Sequence, residues 1–288
     1  MANMRDIRRR IKSVKNTAQI TRAMELVAAS KMKKAQDQAV AGRSYAGMLN
    51  NVLAGLTEQS EEITSPLMEK RDGTKTLVVL VSTDKGLCGG LNTNLFKKVL
   101  DEANVPADAQ FVTVGKKGRR LIAKLQKELV ADFEVKDPVP FGETKLLARF
   151  LTKQFLEGKV DRVLVAYNHF VNTLSQRPTV VPLLPLCPEN LQEVTSKGAS
   201  PSDQEYIFEP SQDDVFEHLL PLFVNFTTYQ LVVKARASEH SARMVAMKSA
   251  TDNAKGMIKD LTLEYNKLRQ AAITAELLEI SAAAKAME

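Results

Sequence analysis

The chain has 288 residues, of which 44% are apolar and 26% charged, and its net charge at pH 7 is +6. This composition is ordinary for a soluble protein, and the length allows one large domain or two ordinary ones with a real hydrophobic core. Two cysteines, Cys88 and Cys187, are too few for a disulfide framework or a zinc site, and no apolar run suits a membrane span or a signal peptide.

The first predicted element, residues 1–57, is one long helix. Its apolar or small residues recur at alternating steps of four and three, which predicts a coiled coil when it is sustained over this length. Glu25 interrupts the pattern, and there we expect a neighbouring stripe of Ile20, Met24 and Val27 to take over. The predicted seam consists of Ile7, Ile11, Val14, Ala18, Thr21, Ala28, Met32, Ala35 and Ala39.

The same helix is strongly basic. Residues 1–43 carry 11 Lys or Arg against three acids, a net of +8, while the rest of the chain sums to −2. Three interpretations are a nucleic-acid-binding arm, a mitochondrial transit peptide, and the solvated face of a long helix. Residues 1–44 contain no aromatic side chain for base stacking, which counts against the first. The basic stretch continues into the coiled-coil repeat, which counts against the second.

The middle of the chain, residues 74–210, is predicted to be a small α/β domain. Strand-like stretches at 75–83, 109–115 and 160–168 are separated by helical stretches, and this alternation implies a mostly parallel sheet covered on both faces. The proline-containing stretch 178–186 is expected at an edge of the sheet. A polar loop follows before the last element. The predicted helical stretches include residues 97–103 and 119–129.

The last predicted element, residues 211–288, is a second long helix with Ser211 as its N-cap. The two terminal helices are expected to pair antiparallel. Their seams are rich in Ala, Thr and Met, which allow close approach but bury little area, so we expect something else to enclose the rod. The second seam consists of Met244, Met247, Thr251, Ala254, Ile258, Leu261, Tyr265, Leu268, Ala272 and Ala275.

A glycine-rich turn, residues 82–92, follows the strand-like "TLVVLV" and could cradle a phosphate at a helix start. Its glycines, Gly86, Gly89 and Gly90, form G-x-x-G-G, and no Lys-Ser or Lys-Thr follows them. The spacing of a dinucleotide or Walker loop is therefore missing. Nucleotide binding is not expected at this turn.

Cys88 within this turn could be a nucleophile if His169 and Asp84 converged on it. No hydrolase signature surrounds it, and a small residue in a tight loop is the commoner explanation. His218 and His240 are 22 residues apart, which suits no metal site. We therefore expect no catalytic residue, no metal and no cofactor in this chain.

Four segments together resemble one family. Residues 20–36, 82–92, 237–254 and 265–284 are similar, in content and order, to the gamma subunits of F-type ATP synthases. A specific part of the likeness is an Ile-Thr-x-Glu-x-x-Glu-Ile pattern near the C-terminus. It is formed by Ile273, Thr274, Glu276, Glu279 and Ile280.

The resemblance implies a fold of class α/β, with a long antiparallel coiled coil of the terminal helices and an inserted Rossmann-like α/β domain. It implies a non-catalytic rotor shaft that couples proton or other ion flow through a membrane c ring to ATP synthesis or hydrolysis on alpha and beta subunits. The implied partners are three alpha and three beta subunits, the epsilon subunit and the c ring, with no nucleic acid and no membrane insertion. With no presequence visible, the expected location is the cytoplasmic face of a bacterial inner membrane.

The resemblance also assigns contact residues. The glycine turn would face an acidic loop of a beta subunit, and Tyr206 and Glu209 would touch the epsilon subunit and the c ring. The tail departs from the family pattern at Ser281, Ala283 and Lys285. The residues assigned to alpha and beta contacts are Met24, Lys85, Cys88, Arg243, Arg269, Gln270, Thr274 and Glu276.

Overall fold

A computed structural model describes residues 4–59, 65–71, 73–186 and 212–287. Ser211, Cys187, Tyr206 and Glu209 lie outside the described residues. Among the described residues, no helix is both long and apolar enough to cross a membrane. The elements are the helices α1 (Met4–Gln59), α2 (Leu91–Leu100), α3 (Lys116–Lys124), α4 (Phe141–Leu156) and α5 (Gln212–Ala286), and the strands β1 (Thr76–Val81), β2 (Gln110–Val114), β3 (Leu129–Phe133), β4 (Arg162–Phe170) and β5 (Gln176–Leu184).

The strands form one sheet in the order β3-β2-β1-β4-β5. All neighbouring pairs are parallel except β4 and β5, which confirms the predicted, mostly parallel sheet. The proline-containing strand β5 lies at an edge, as its sequence predicts, because Pro178 and Pro182 cannot donate to a second neighbour.

The opposite edge strand, β3, was not predicted. The stretch 119–129 was expected to be helical, but α3 ends at Lys124 and Leu129 begins the strand. Leu129 and Val130 are exposed, so β3 lacks the buried apolar run by which the central strands are recognised. Its pairing with β2 stabilises it through backbone hydrogen bonds rather than through burial.

Alternate residues of β1 belong to two separate cores, one on each face of the sheet. Leu77 and Val79 are buried in one core with Leu151 of α4, whereas Val78 and Leu80 are buried in the other. The second core also contains residues of α2 and α3. All six residues of β1 are buried, which confirms the prediction of a sheet covered by helices on both faces.

The chain divides into two compact units, one formed by Met1–Ala28 with Met244–Glu288 and the other by Ala29–Arg243. In the first unit the predicted seams are present. The hydroxyls of Thr21 and Thr251 lie 2.7 Å apart and share a buried hydrogen bond. All predicted seam positions of this unit are buried or half-buried, except Ala275, which is exposed.

The prediction that a stripe of Ile20, Met24 and Val27 replaces the seam near Glu25 is wrong. Ile20 and Val27 are exposed, and of the three residues only Met24 is half-buried. The seam continues past Thr21, and the half-buried Glu25 lies beside it. Arg22 makes this position tolerable for Glu25, because it donates two hydrogen bonds, of 2.8 and 2.9 Å, to the Glu25 carboxylate. The pairing keeps a charged residue at the margin of the seam without an unpaired charge.

In the second unit, α1 and α5 pack antiparallel at very short range. Gly42 lies against Gln230 and Phe226, and three residues later Tyr45 contacts Phe226 with ring centroids 4.8 Å apart. A Cβ atom on Gly42 would stand 1.8 Å from Gln230 Nε2 and 3.1 Å from the Phe226 ring. A Cβ atom on Gly47 would meet nothing within 4 Å.

These two glycines give a matched pair of substitutions on one helix. Both Gly42→Ala and Gly47→Ala gain helix propensity of up to about 1 kcal/mol, but only the first forces a buried side chain to move. We expect Gly42→Ala to be less stable than Gly47→Ala by about 1–3 kcal/mol, the usual cost of overpacking. Urea unfolding of the two variants measures this difference, and equal stability would mean that the helices separate there at no cost.

Candidate interaction site

The glycine turn, residues 82–92, leaves the carboxyl end of β1 and is tied to the start of α3. The Ser82 amide donates to the Val114 carbonyl at 2.8 Å, and the Gly118 amide donates to Ser82 Oγ at 2.7 Å. Gly115 has a φ of 100°, and a Cβ there would lie 2.4 Å from the Ser82 carbonyl oxygen. Glycine is therefore required at position 115 for this close approach.

The turn also supplies hydrogen-bond acceptors to the first amides of α3. The first amides of a helix have no partner within the helix and can bind anions. In α3, the Lys116 amide donates to Asp84 Oδ1 at 3.1 Å and the Lys117 amide donates to the Thr83 carbonyl at 3.0 Å. Protein acceptors thus occupy these donors, and the geometry does not form a phosphate cradle at the start of α3.

The outer part of the turn is held in a strained shape. Asn92 Nδ2 donates to Thr83 Oγ1 at 2.7 Å, and Thr83 Oγ1 donates to the Lys85 carbonyl at 2.8 Å. Leu87 has a φ of 62°, in the left-handed region that disfavours side chains, yet it is 61% exposed. The turn therefore presents a large apolar side chain outward at an energetic cost. Leu87 was not predicted from the sequence as a contact residue, although a leucine among glycines was a usable signal.

Cys88 is not placed as a nucleophile. It is buried and packs with Leu91 and Ala242, and burial raises the pKa of its thiol, which is the opposite of activation. His169 Nδ1 lies 3.3 Å from the Tyr167 hydroxyl, and the Asp84 carboxylate is bound by Arg236, so both proposed catalytic partners are engaged elsewhere.

A buried ion network on α5 holds the turn. Glu239 lies between two guanidinium groups, accepting a hydrogen bond of 2.7 Å from Arg236 and another of 2.7 Å from Arg243. The side chains of Arg236 and Glu239 are only 5% and 7% exposed. Burial alone would lower the pKa of Arg236, but Glu239 and Asp84 raise it overall. Arg236 therefore stays charged inside the protein.

Both arginines reach from α5 to the glycine turn. Arg236 donates to Asp84 Oδ2 at 3.1 Å and to the Val135 carbonyl at 2.9 Å. Arg243 donates to the backbone carbonyls of Lys85 and Gly86 at 3.3 and 3.4 Å. Arg243, predicted as a partner contact, is therefore engaged within its own chain, where it positions the turn.

Asp137 links two helices next to this network. Its Oδ2 atom accepts a hydrogen bond of 2.8 Å from Lys31 of α1 and lies 3.1 Å from Nε2 of His240 on α5, an ion pair when the imidazole is protonated. His240 and, more weakly, Lys31 hold the pKa of Asp137 well below its ordinary value, although partial burial opposes them. The carboxylate thus binds α1 and α5 to the edge of the α/β domain.

Most of the other predicted contact residues in the described part of the chain are exposed. Lys85 is exposed at the tip of the turn, beside Leu87. On α5, Arg269, Gln270, Thr274 and Glu276 are exposed, and Thr274 Oγ1 donates to the Gln270 carbonyl at 2.9 Å. Met24 is half-buried. Among the described residues, no group of His, Cys, Asp and Glu is arranged to hold a metal ion.

Comparison with known proteins gives one consistent result. The sequence model of the family described as ATP synthase matches residues 3–287. The chain is 52% identical to the ATP synthase gamma chain of Opitutus terrae, with 98% of each chain covered, and 49% identical to that of Akkermansia muciniphila, with 100% of each covered.

Solved structures of ATP synthases contain chains with a similar fold. A chain of the Euglena gracilis mitochondrial ATP synthase (OSCP, F1 and c ring) superposes with a TM-score of 0.68 at 22% identity, covering 99% of this chain and 94% of that one. A chain of the Tetrahymena thermophila mitochondrial ATP synthase (central stalk and c ring) gives a TM-score of 0.58 at 26% identity, with coverages of 80% and 99%.

The buried network gives a stability prediction. Glu239→Gln removes the carboxylate charge between two buried guanidinium groups, and we expect it to destabilise the chain by about 3–5 kcal/mol, the usual cost of breaking a buried ion pair. The matched control is Glu157→Gln, which removes an exposed pair with Lys159 and should change stability little. Urea unfolding at pH 7 measures both, and equal effects would refute a structural role for Glu239.

The lowered pKa of Asp137 predicts how the stability of the chain depends on pH. Because its pKa is lower in the folded chain than in the unfolded one, its contribution is complete above the unfolded pKa of about 4 and is lost as the pH falls below that value. We expect Asp137→Asn to cost about 1–3 kcal/mol at pH 7 and progressively less below pH 4. Unfolding curves measured from pH 7 to pH 3 test this, and a cost independent of pH would contradict it.

Proposed function

The chain belongs to the ATP synthase gamma chain family, and from this premise we propose that it is the central rotor shaft of an F-type ATP synthase. Its rotation would couple ion flow through a membrane c ring to ATP synthesis or hydrolysis on alpha and beta subunits. The ATP chemistry would reside on those subunits, so this chain would need no catalytic residue of its own.

The observation that carries this proposal is the exposed end of α5. From Ile273 to Met287 every residue is exposed, and the stretch contains several large apolar side chains. A helix that is apolar on several faces is normally buried, and a contiguous exposed apolar surface marks an interaction site. A sleeve of alpha and beta subunits would cover it. The apolar residues, each between 48% and 67% exposed, are Ile273, Leu277, Leu278 and Ile280.

The seam of the first unit supports a shaft that turns inside such a sleeve. Its buried positions are occupied by small or flexible residues such as Ala28, Thr251 and Ala254. Small residues let two helices approach closely, which makes the pair slim. Met24 and the basic residues around it, of which Arg22 is one, would face an acidic lever of a beta subunit.

The glycine turn supports a second contact with the same partner. Lys85 supplies a positive charge and Leu87 an apolar side chain, both exposed on a turn to which Arg236 and Arg243 donate hydrogen bonds. A positive surface against an acidic loop guides the encounter without demanding one geometry. The neighbouring Cys88 is buried, so its proposed contribution is to pack the turn rather than to touch the partner.

The third proposed contact is the foot of the rotor. Tyr206 and Glu209 would contact the epsilon subunit and the c ring. The chain would then be a peripheral protein at the cytoplasmic face of a bacterial inner membrane, attached to the membrane through the c ring. It would bind no nucleic acid.

The proposal is tested by reconstitution with the alpha and beta subunits encoded in the same genome. We expect one copy of this chain to elute with three alpha and three beta subunits in gel filtration, and the assembly to hydrolyse ATP. The chain alone should show no hydrolysis. Absence of a joint complex under conditions where alpha and beta are folded would contradict the proposal.

A single residue on α5 gives a sharper test. Arg269 is exposed, so Arg269→Ala should leave the stability of the isolated chain unchanged. If its guanidinium pairs with a carboxylate on a beta-subunit loop, the substitution should weaken assembly or coupled ATP synthesis, at a cost of about 2–5 kcal/mol for a desolvated pair.

The matched control is Lys267→Ala, an exposed cation two residues earlier on the same helix but on a different face. It should assemble and turn over ATP as the wild type does. Gel filtration follows assembly, and ATP hydrolysis and synthesis follow function. Equal behaviour of the two variants would show that Arg269 makes no such contact.

A further inference from the structure

His240 lies between two groups of opposite charge, and the sequence analysis considered it only as a metal ligand. It is a buried residue of α5, within the unit Ala29–Arg243. Nε2 of its ring lies 3.1 Å from Asp137 Oδ2, and Nδ1 lies 3.4 Å from Nη1 of Arg243. The two nitrogens of one buried imidazole therefore face an anion and a cation.

The contact with Arg243 determines which ring nitrogen carries a proton. A guanidinium group has only N–H donors, so it can donate a hydrogen bond to Nδ1 but cannot accept one from it. A proton on Nδ1 would set two donors against each other across the 3.4 Å between Nδ1 and Nη1. Nδ1 therefore presents its lone pair to Arg243, and the proton of the neutral ring is on Nε2.

The contact with Asp137 selects the same form of the ring independently. Nε2 is buried and makes no aligned hydrogen bond with the described residues, yet it lies 3.1 Å from a carboxylate oxygen. A bare Nε2 would bring its lone pair close to that anion, whereas an Nε2–H group brings the positive end of its dipole close to it. The same oxygen accepts a hydrogen bond of 2.8 Å from Lys31 of α1, which holds the carboxylate in place.

The other nitrogens of the Arg243 guanidinium group hold the glycine turn. Nη2 donates to the Glu239 carboxylate at 2.7 Å. Nη2 and Nε also donate to the backbone carbonyls of Lys85 and Gly86, at 3.3 and 3.4 Å. These two bonds are long, so they depend on the orientation of the planar guanidinium group. A hydrogen bond to Nη2 alone would leave the plane free to turn about that atom, and a contact with Nη1 removes that freedom.

The turn needs such fixed contacts because its backbone is strained. Leu87 has a φ of 62°, and a strained backbone conformation persists only where the surrounding contacts determine it. The two carbonyls bound by Arg243 belong to the residues directly before Leu87. The orientation of one guanidinium group therefore acts where the strain begins.

We propose that His240 is a positioning residue of the glycine turn. As the Nε2–H tautomer it accepts a hydrogen bond from Arg243 and so directs the guanidinium group toward the two carbonyls of the turn. Asp137 keeps the ring in this form, and Lys31 of α1 fixes Asp137, so the arrangement of the turn depends on a helix with which it shares no sequence neighbour. This inference goes beyond the proposed function, because it concerns the chain by itself. A failure to assemble with alpha and beta subunits would leave it intact.

The first experiment determines the tautomer in the wild-type chain. The full chain is labelled with ¹⁵N-histidine, and nitrogen NMR at pH 7 distinguishes a protonated from a bare ring nitrogen. The chain has three histidines, and the signals of His240 are those that disappear in His240→Asn. We expect a bare Nδ1 and a protonated Nε2. A proton on Nδ1 would overturn the proposal, because Arg243 could not then donate to that atom.

The second experiment separates the two sides of the ring. His240→Asn keeps an acceptor oxygen near the place of Nδ1, whereas His240→Gln has a methylene group there and carries its amide on toward Asp137. We expect the amide order parameters of Gly86 and Leu87 to stay near about 0.85 in the Asn variant and to fall below about 0.6 in the Gln variant. Nitrogen-15 relaxation of the full chain measures both, after urea unfolding has shown that each variant is folded.

The matched control is His218→Gln, an exposed histidine of the same helix whose Nδ1 lies 2.8 Å from the Asp214 carbonyl oxygen of its own helix. It should leave the order of the turn unchanged. If His240 only fills space, its two variants will have the same effect on the turn, and equal order parameters in both, high or low, would overturn the positioning role. The tautomer measured in the wild-type chain tests the proposal even if a variant fails to fold.

Discussion

One buried carboxylate, Glu239, organises the contact between the long C-terminal helix and the glycine turn. It neutralises Arg236 and Arg243, and the two guanidinium groups then bind the glycine turn through Asp84 and the Lys85 and Gly86 carbonyls. Without the carboxylate, Arg236 would keep Asp84 as a charge partner, but the Arg243 guanidinium would lose its ion pair. The position of the turn that carries Leu87 is therefore set in part by an ion network on a different element.

The features predicted from sequence are those with a local period. The seam from Ile7 to Ala272 and the strands β1, β2 and β4 were all visible, because each buries one face or both faces at a fixed spacing. The exposed strand β3 was missed, because it owes its conformation to its neighbour β2 rather than to its own pattern. The stripe of Ile20 and Val27 was misplaced, because Arg22 makes Glu25 tolerable beside the seam.

The structure of the glycine turn was predicted in outline only. The glycine turn could be located from its composition, but what holds it could not. Arg236 and Asp84 are 152 residues apart in sequence, and so are connected only by the fold. Arg243 was recognised by resemblance, yet its guanidinium group is occupied by Glu239 and by the turn itself. A motif can identify an important residue while leaving open whether it contacts a partner or its own chain.

Large and small apolar residues are placed differently in the helix seam of the first unit and at the exposed end of α5. Small residues such as Ala28 and Ala254 are buried in the helix seam, where each contributes little area. Large ones such as Leu277 and Ile280 at the end of α5 are exposed. A chain selected only for its own stability would reverse this arrangement. The arrangement is favourable when the apolar surface is buried after assembly, because the complex then gains the stability that the single chain lacks.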